Sequence, residues 1–204
     1  MPLKDIEQTT LGVYERQGAR FDQERPKVLF EKKWLVRFQA LLPDNAHILD
    51  VGSGAGEPIA GYFIRQGIQL TGVDFAAAML EISRSRFPDN RWVQMDMRKL
   101  ALDERYDGLI AWHSFFHLTQ EDQRLVLKLF ADHLKPGGVM LLTVGHEAGE
   151  VIGHVGDESV YHASLSPEKY EAILKEKEMK VVEFVPEDPD VHGSTILLAQ
   201  KAIA

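Results

Sequence analysis

Three acidic residues each stand at the end of a predicted strand, which is where open α/β sheets bind their ligands. Asp50 precedes the glycine-rich stretch Gly52–Gly56, Asp74 ends the second predicted strand, and Asp96 follows the third. Glycines let backbone amides approach a ligand closely, and an acid after the second strand can accept both hydroxyls of a ribose. Asp96 could accept an adenine amino group. The pattern therefore favours a ligand that is adenosyl, zwitterionic and without phosphate.

The glycine loop is also compared with a dinucleotide-binding loop. That fingerprint requires G-x-G-x-x-G, and Gly52 and Gly54 match it, but Glu57 occupies the third glycine position. A carboxylate there would repel a pyrophosphate and crowd the contact between helix and strand. Asp50 is adverse to a diphosphate for the same electrostatic reason. An NAD-type oxidoreductase is therefore kept only as an alternative.

The elements that must position these residues alternate between apolar strands and amphipathic helices. We predict strands at Ala46–Val51, Gln69–Val73, Arg91–Gln94, Tyr106–Trp112, Val139–Val144, Lys180–Pro186 and Thr195–Lys201. We predict helices at Asp5–Gln17, Lys27–Leu42, Glu57–Gln66, Ala76–Phe87, Gln120–His133 and Ser166–Lys177. Continuously apolar strands separated by helices indicate a doubly wound α/β fold with a parallel sheet. The last two strands have no helix between them and should pair antiparallel.

Two connecting segments receive specific predictions. Lys135–Gly138 has the sequence Lys-Pro-Gly-Gly, which predicts a turn. His146–Leu165 is polar, rich in glycine and histidine, and without a clear period, which predicts a long loop. A loop of that length in a compact domain is usually functional or disordered.

Composition narrows the possible functions. The 204 residues include no cysteine, which excludes disulfides, thiolate catalysis and cysteine-type metal sites. The 23 Lys+Arg against 31 Asp+Glu give a net charge of −8 without a basic block, so no nucleic-acid partner is expected. No stretch approaches 18 apolar residues, and Met1–Asp5 has no apolar region of the secretory type, so a cytoplasmic protein without membrane association is predicted.

The motifs in their order resemble those of class I S-adenosylmethionine-dependent methyltransferases that act on small molecules. The resemblance rests on Ile48–Gly56, Gly72–Asp74, Asp96 and Leu134–Gly138, with Ser114–Leu118 as a further similar detail. It implies a Rossmann-like, seven-stranded sheet, mostly parallel with an antiparallel last strand. It also implies S-adenosyl-L-methionine as the cofactor and S-adenosyl-L-homocysteine as its product.

The same resemblance implies a division of the chain. Residues 1–45 would be helices that form a lid over the cofactor, and residues 46–204 would be the methyltransferase domain. A variable segment at about residues 146–165 would shape the acceptor side of the site.

The resemblance further implies which residues bind the cofactor. They are Tyr14, Arg20, Asp50, Gly52, Ser53, Gly54, Gly56, Asp74, Phe75, Met79, Asp96, Met97, Ala111 and Trp112. The glycine loop would hold the methionine moiety, Asp74 the ribose hydroxyls, and Asp96 the adenine amine. Other interpretations stay open, because Tyr14 could serve only helix packing, and Asp74 or Asp96 could serve only as helix caps.

The residues that contact the methyl acceptor are predicted from their positions near the expected reaction site and in the variable loops. The residues proposed for acceptor contacts are Trp112, His113, Phe116, His146, Tyr161 and His192. Methyl transfer from a sulfonium is expected to be an in-line displacement, in which the protein aligns the reactants and excludes water. A general base is needed only if the acceptor must lose a proton, and the candidates are His113, His117, His146 and Tyr161.

No metal site is predicted, because the pairs His146–Glu147 and His154–Asp157 match no ligand spacing. The predicted function is methyl transfer to a small-molecule acceptor by a monomer or homodimer. The alternative from another class is a non-catalytic S-adenosylmethionine-binding regulatory module.

Overall fold

The computed structural model describes residues 3–24 and 28–203. In these two ranges the chain forms nine β-strands and six α-helices. The strands are β1 (His47–Val51), β2 (Gln69–Asp74), β3 (Arg91–Gln94), β4 (Tyr106–Ala111), β5 (Leu134–Val144), β6 (Gly149–Val155), β7 (Glu158–Ser164), β8 (Met179–Asp188) and β9 (Ser194–Lys201). The helices are α1 (Leu3–Glu24), α2 (Lys32–Gln39), α3 (Ile59–Ile64), α4 (Ala77–Arg86), α5 (Gln120–Asp132) and α6 (Pro167–Glu176).

Seven strands form one sheet in the order β3-β2-β1-β4-β5-β9-β8. The pairs among β1 to β5 are parallel, and β9 runs antiparallel to both of its neighbours. The predicted fold, a mostly parallel doubly wound sheet with an antiparallel last strand, is confirmed. The strand order reverses between β1 and β4, so the carboxyl ends of these two strands open a crevice for a ligand.

Helices cover both faces of this sheet. Side chains of α2 and α3, including Trp34 and Phe63, pack with Ile48 and Ile110 in one buried cluster. Side chains of α5 and α6 pack with Leu49 and the other strand residues of the opposite face in a second cluster. Neighbouring residues of β1 thus enter different clusters, which explains why the parallel strands are apolar throughout.

The segment predicted as a long loop, residues 146–165, is instead mostly a two-stranded hairpin. Strands β6 and β7 pair antiparallel from Gly149 and Ser164 to Val155 and Glu158. The two intervening residues, Gly156 and Asp157, make the turn, with Gly156 at φ +55°. A glycine–aspartate pair between β-formers is a hairpin signal, so the loop prediction was wrong because this local turn was overlooked.

The predicted N-terminal helices also differ from the structure. Helix α1 continues seven residues beyond the predicted end at Gln17, because side chains near its C-terminal end find partners on α4 and the hairpin. Helix α2 is shorter than the predicted Lys27–Leu42, whose first residue lies outside the described residues.

The predicted turn at Lys135–Gly138 lies within β5 as an irregularity. Tyr106 pairs with Leu134, and two residues later Gly108 pairs with Val139, so the intervening residues of β5 bulge out of the ladder. Gly137, at φ +79°, supplies the left-handed conformation that the bulge requires. No helix within the described ranges is long and apolar enough to cross a membrane.

Candidate functional site

A cavity of about 420 Å³ opens at the carboxyl ends of β1, β2, β3 and β4. Its floor consists of Val51, Gly52 and Gly54 together with residues 73–76 and 95–97, at the ends of the first three strands. Its wall is the segment 112–118 after β4, and its roof is α1 together with the β6–β7 hairpin. The lining residues are Tyr14, Glu24, Phe30, Val51, Gly52, Gly54, Val73, Asp74, Phe75, Ala76, Met79, Met95, Asp96, Met97, Trp112, His113, Ser114, His117, Leu118, His154, Val155 and Gly156.

The glycine loop is fixed to the end of β2 by its backbone. The amides of Gly52 and Ser53 both donate to the carbonyl of Val73, at 2.7 and 3.0 Å. Gly54 has φ +54°, and a Cβ placed there would meet no atom within 4 Å. The loop therefore presents backbone and empty space, rather than side chains, to the cavity.

Asp74 connects the loop to the start of α4. Its carboxylate accepts hydrogen bonds from the amides of Gly54 and Ala76, each at 2.8 Å. Burial raises the pKa of Asp74 above its ordinary value, although the amide donors act in the opposite direction. The carboxylate thus lies at the cavity floor with its position set by two backbone groups.

Asp96 also has a structural partner. Its side chain accepts from the Arg98 amide at 2.9 Å and forms an ion pair with the Arg98 guanidinium at 2.6 Å. Burial raises the pKa of Asp96, but the hydrogen bonds and positive charge of Arg98 outweigh it and hold the pKa below its usual range. Asp96 therefore acts as a helix cap, as the alternative interpretation of the sequence proposes, and its carboxylate also lines the cavity.

The apolar part of the floor includes an exposed aromatic ring. Phe75 is 41% exposed and lines the cavity with Met79 and Met97. An exposed phenylalanine in a cavity floor beside two methionines offers a surface on which a flat ligand ring can pack.

Two residues of the wall form hydrogen bonds to strands of the sheet. His113 has φ +52°, its amide donates to Thr143 Oγ1 at 2.7 Å, and its Nε2 lies 2.9 Å from Ser194 Oγ. Ser114 Oγ donates to the carbonyl of Val51 at 2.8 Å. These bonds attach the wall to β1, β5 and β9.

The roof meets the wall where a side chain of α1 contacts a side chain of the segment after β4. Tyr14 Oη lies 2.8 Å from His117 Nε2, and His117 Nδ1 lies 2.9 Å from the carbonyl oxygen of Tyr161. The pKa of His117 is lowered to about 4, mainly by burial and also by the neighbouring His162, while the Tyr161 carbonyl acts in the opposite direction. The His117 ring also packs against those of Phe116 and His162, with centroids 4.9 and 4.8 Å apart.

Helix α1 is attached to the hairpin at further points. The amide of Tyr161 donates to the buried hydroxyl of Thr10 at 2.8 Å. Gln17 Nε2 donates to Glu158 Oε1 at 2.8 Å, and Arg16 forms an ion pair with the same carboxylate.

Helix α1 is also attached to α4, on the other side of the cavity. Asp22 forms a bidentate ion pair with Arg86. Gly18 lies so close to α4 that a Cβ placed there would meet Met79 Cγ at 3.6 Å.

The structure brings nine of the proposed cofactor-binding residues to the cavity. They are Tyr14, Gly52, Gly54, Asp74, Phe75, Met79, Asp96, Met97 and Trp112. The other five do not line it. Asp50, Gly56 and Ala111 are buried beneath the floor and wall, and Ser53 is buried with a hydroxyl that has no hydrogen-bond partner in the described part of the chain. Arg20 is exposed and pairs with Glu24 at 2.7 Å.

Of the proposed acceptor residues, Trp112 and His113 line the cavity and four do not. Phe116 packs between His117 and His162, and the Tyr161 hydroxyl donates to Glu150 at 2.7 Å.

The last two proposed acceptor residues lie outside the cavity as well. His146 is exposed, with Glu147 Oε1 at 3.6 Å from its Nε2. His192 is also exposed, and its ring packs at 4.5 Å on Phe30, which does line the cavity.

Several lining residues were not found by sequence reasoning. Gly156, Val155 and His154 form the end of the hairpin, and the overlooked Gly-Asp turn was the signal that could have found them. Phe30 and Glu24 carry no such signal, because only the packing of α1 and the chain after it brings them to the cavity.

The charged side chains among the described residues that line the cavity are acidic. Glu24, Asp74 and Asp96 line it, and among the described lining residues there is no lysine or arginine. Across residues 3–24 and 28–203 no group of three or more potential ligands could hold a metal ion. Such a lining is adverse to a pyrophosphate and compatible with a ligand that carries an ammonium or sulfonium group.

Comparison with known sequences identifies a domain and several relatives. Residues 48–138 match the family described as a methyltransferase domain. The chain is 29% identical over 102 residues to dTDP-3-amino-3,4,6-trideoxy-alpha-D-glucopyranose N,N-dimethyltransferase of Streptomyces venezuelae, covering 49% of this chain and 43% of the relative. It is 32% identical over 126 residues to trans-aconitate 2-methyltransferase of Paracidovorax citrulli, covering 60% and 46%. The chain spans about half the length of these curated relatives.

Two solved structures share the fold over nearly the whole chain. The CcbJ methyltransferase of Streptomyces caelestis superposes with a TM-score of 0.73 at 15% identity, covering 96% of this chain and 98% of that one. CalS10, an amino pentose methyltransferase of Micromonospora echinaspora solved with S-adenosylmethionine bound, gives a TM-score of 0.71 at 19% identity, covering 92% and 96%.

Proposed function

We propose that this chain, whose residues 48–138 match a methyltransferase domain, is a class I S-adenosylmethionine-dependent methyltransferase that transfers a methyl group to a small-molecule acceptor. The observation that carries the proposal is the cavity itself. It joins an open glycine loop, a backbone-held carboxylate and an apolar ring surface at one edge of the sheet, with the wall after β4 beside them.

The residues of the cavity fit S-adenosylmethionine better than a dinucleotide. The space at Gly54 accommodates a ligand that approaches the backbone, and Phe75 offers its face to an adenine ring. The lining carboxylates and the absence of lysine and arginine among the described lining residues suit a sulfonium and an ammonium group. The same charges would repel the diphosphate of NAD.

Each part of the floor has a role in this proposal. Gly52 and Gly54 admit the methionine moiety, and Asp74 accepts hydrogen bonds from the ribose hydroxyls. Phe75 and Met97 pack on the adenine, and Asp96, whose two oxygens also accept from Arg98, accepts from its amino group. When bound, S-adenosylmethionine supplies an electrophilic methyl group, so the chain itself needs no covalent nucleophile.

The roof and wall have a different role. Helix α1 acts as a lid, and with the hairpin it excludes water from the reacting groups. The wall residues Trp112 and His113 border the space where the acceptor binds. The hydrogen bonds that attach the wall to the sheet hold this part of the wall in position beside the cofactor. The two relatives named above differ in the acceptor that their names give, a dTDP-linked amino sugar and trans-aconitate, and both are small molecules.

The first experiment is calorimetric titration of the protein with S-adenosyl-L-homocysteine, and separately with NAD. We expect binding of the first alone. Asp74→Ala removes two charged hydrogen bonds to the ribose, so the affinity for S-adenosyl-L-homocysteine should fall by about 2–4 kcal/mol. The matched control is Asp107→Ala, because Asp107 also holds a backbone amide, that of His47 at 2.9 Å, but lies at the opposite edge of the sheet.

The outcomes separate the possible functions. Equal loss of affinity in the two variants, or unchanged affinity in a folded Asp74→Ala protein, would contradict the role of Asp74. Binding of NAD in place of S-adenosyl-L-homocysteine would overturn the proposed function. Binding without methyl transfer to any member of an acceptor panel would favour the non-catalytic module.

A further inference from the structure

The hydrogen bonds that join roof and wall have a fixed direction. The carbonyl of Tyr161 can only accept, so His117 Nδ1, 2.9 Å away, carries a hydrogen and donates it. A neutral imidazole has one N–H, which leaves Nε2 with a lone pair. Tyr14 Oη, 2.8 Å from that nitrogen, therefore donates its own hydrogen to it.

His117 stays neutral in this arrangement. Among the described residues, the groups that face it are the Tyr14 hydroxyl, the Tyr161 carbonyl and the rings of Phe116 and His162, and none of these carries a carboxylate. Burial lowers its pKa to about 4, so the imidazolium form is rare at neutral pH. The direction of the hydrogen bonds consequently holds under ordinary conditions.

The direction of these hydrogen bonds determines how Tyr14 can interact with a ligand in the cavity that it lines. Because its hydrogen is directed to His117, its oxygen presents lone pairs and acts as a hydrogen-bond acceptor. A ligand group that meets this oxygen must bring a hydrogen of its own. A carboxylate brings none, and the described lining contains no lysine or arginine to neutralise it.

We propose that Tyr14, oriented by His117, accepts a hydrogen bond from the methyl acceptor and selects an amine or hydroxyl compound over a carboxylate. This inference rests on the function proposed above and specifies its acceptor class. An amine that donates one N–H to Tyr14 keeps its lone pair available for attack on the methyl group. Of the two acceptors named among the relatives, the amino group of the dTDP-linked amino sugar satisfies this requirement and the carboxylate groups of trans-aconitate do not.

The first test measures the state of His117 in the protein without ligand. Long-range ¹H–¹⁵N correlation spectra distinguish the two neutral tautomers and the imidazolium, and His117→Gln identifies the signal by its loss. We expect the Nδ1-protonated neutral ring at pH 7. An Nε2-protonated ring or an imidazolium at that pH overturns the inference, and this measurement does not depend on cofactor binding.

The second test uses the protein saturated with S-adenosyl-L-homocysteine. Cyclohexylamine, cyclohexanol and cyclohexanecarboxylate share one ring and differ in the polar group, and each is titrated while the His117 ring nitrogens are observed. We expect the amine and the alcohol to shift these signals, and the carboxylate to leave them unchanged at equal concentration. Tyr14→Phe should weaken amine binding about tenfold, the effect of losing one hydrogen bond to a charged or polar partner.

Tyr62→Phe is the matched control, because it also removes one tyrosine hydroxyl. The Tyr62 hydroxyl donates to Gln39 at 3.3 Å and does not line the cavity. Equal binding of the carboxylate, no response to either protic probe, or equal weakening in both variants contradicts the inference. Failure of S-adenosyl-L-homocysteine to bind contradicts the proposed function instead, and the tautomer measurement still decides the direction of the hydrogen bonds.

Discussion

In the floor of the cavity, Asp74 accepts a hydrogen bond from Gly54, which is only 20 residues earlier in the chain. In the roof, Tyr14 meets His117 across 103 residues and Thr10 meets Tyr161 across 151. The floor is held mainly by backbone groups whose positions follow from adjacent parallel strands. The roof is held by side chains on elements that meet only when the whole domain has folded.

This difference predicts which changes should destabilise each region. The floor depends on backbone conformation and close approach, so an added methyl group should disrupt it. The roof depends on hydrogen bonds between buried polar groups, so removal of a hydroxyl or a change of protonation should loosen it. The following predictions test this contrast, from the largest expected effect to the smallest.

Gly52→Ala should have the largest effect. A Cβ at this residue would lie 2.2 Å from the Cβ of Ser114, and the residue has φ +75°. Overpacking and left-handed strain together should lower the free energy of unfolding by about 4 kcal/mol. Urea unfolding measures the loss.

Gly54→Ala is the control within the same loop. It has a similar positive φ but no atom within 4 Å of the added Cβ, so only strain of about 1 kcal/mol is expected. Similar losses in the two variants would show that close approach to Ser114 is not what fixes the floor.

Acidification should destabilise the roof through His117. Its pKa is lowered to about 4 in the folded protein from an ordinary value of 6.5. The stability that a neutral His117 contributes is therefore complete above pH 6.5 and is lost as the pH falls toward 4, by up to about 3 kcal/mol.

The measurement is the free energy of unfolding of the unsubstituted protein and of His117→Gln between pH 7 and pH 4.5. The unsubstituted protein should lose more stability than the variant. His47 also has a lowered pKa because of burial, but it is present in both proteins and cancels in the comparison. Parallel pH profiles would contradict the assignment to His117.

Thr10→Val should loosen the hairpin by a smaller amount. The variant keeps the shape of the side chain but leaves the buried amide of Tyr161 without its acceptor at 2.8 Å, which costs about 2 kcal/mol. Hydrogen exchange at the Tyr161 amide should accelerate. Thr9→Val is the control, because the Thr9 hydroxyl bonds only within its own helix, to Ile6 at 3.1 Å and Asp5 at 3.2 Å. Faster exchange in both variants would point to the helix rather than to this bond.

Most of the main sheet could be predicted from the sequence, because apolar runs, helix signals and turns are local patterns. The structure keeps half of those strand boundaries, moves the others by one or two residues, and starts β5 five residues early, at Leu134, where the bulge joins the strand. The hairpin was missed because its Gly156–Asp157 turn was overlooked, and because residues such as Val151 and His154 are exposed on one side, so no buried apolar run marks its strands. The length of α1 was underestimated because partners on α4 and the hairpin stabilise its last turns.

The sequence by itself determined the floor. Glycine at φ above zero, an acid at each strand end and the direction of parallel strands place Gly52, Gly54, Asp74 and Asp96 at one edge, since chain geometry leaves few alternatives. Only the tertiary structure decided that Asp50 and Ser53 are buried away from the cavity and that Tyr14 bonds to His117. Those outcomes depend on the packing of elements distant in sequence, which no local pattern encodes.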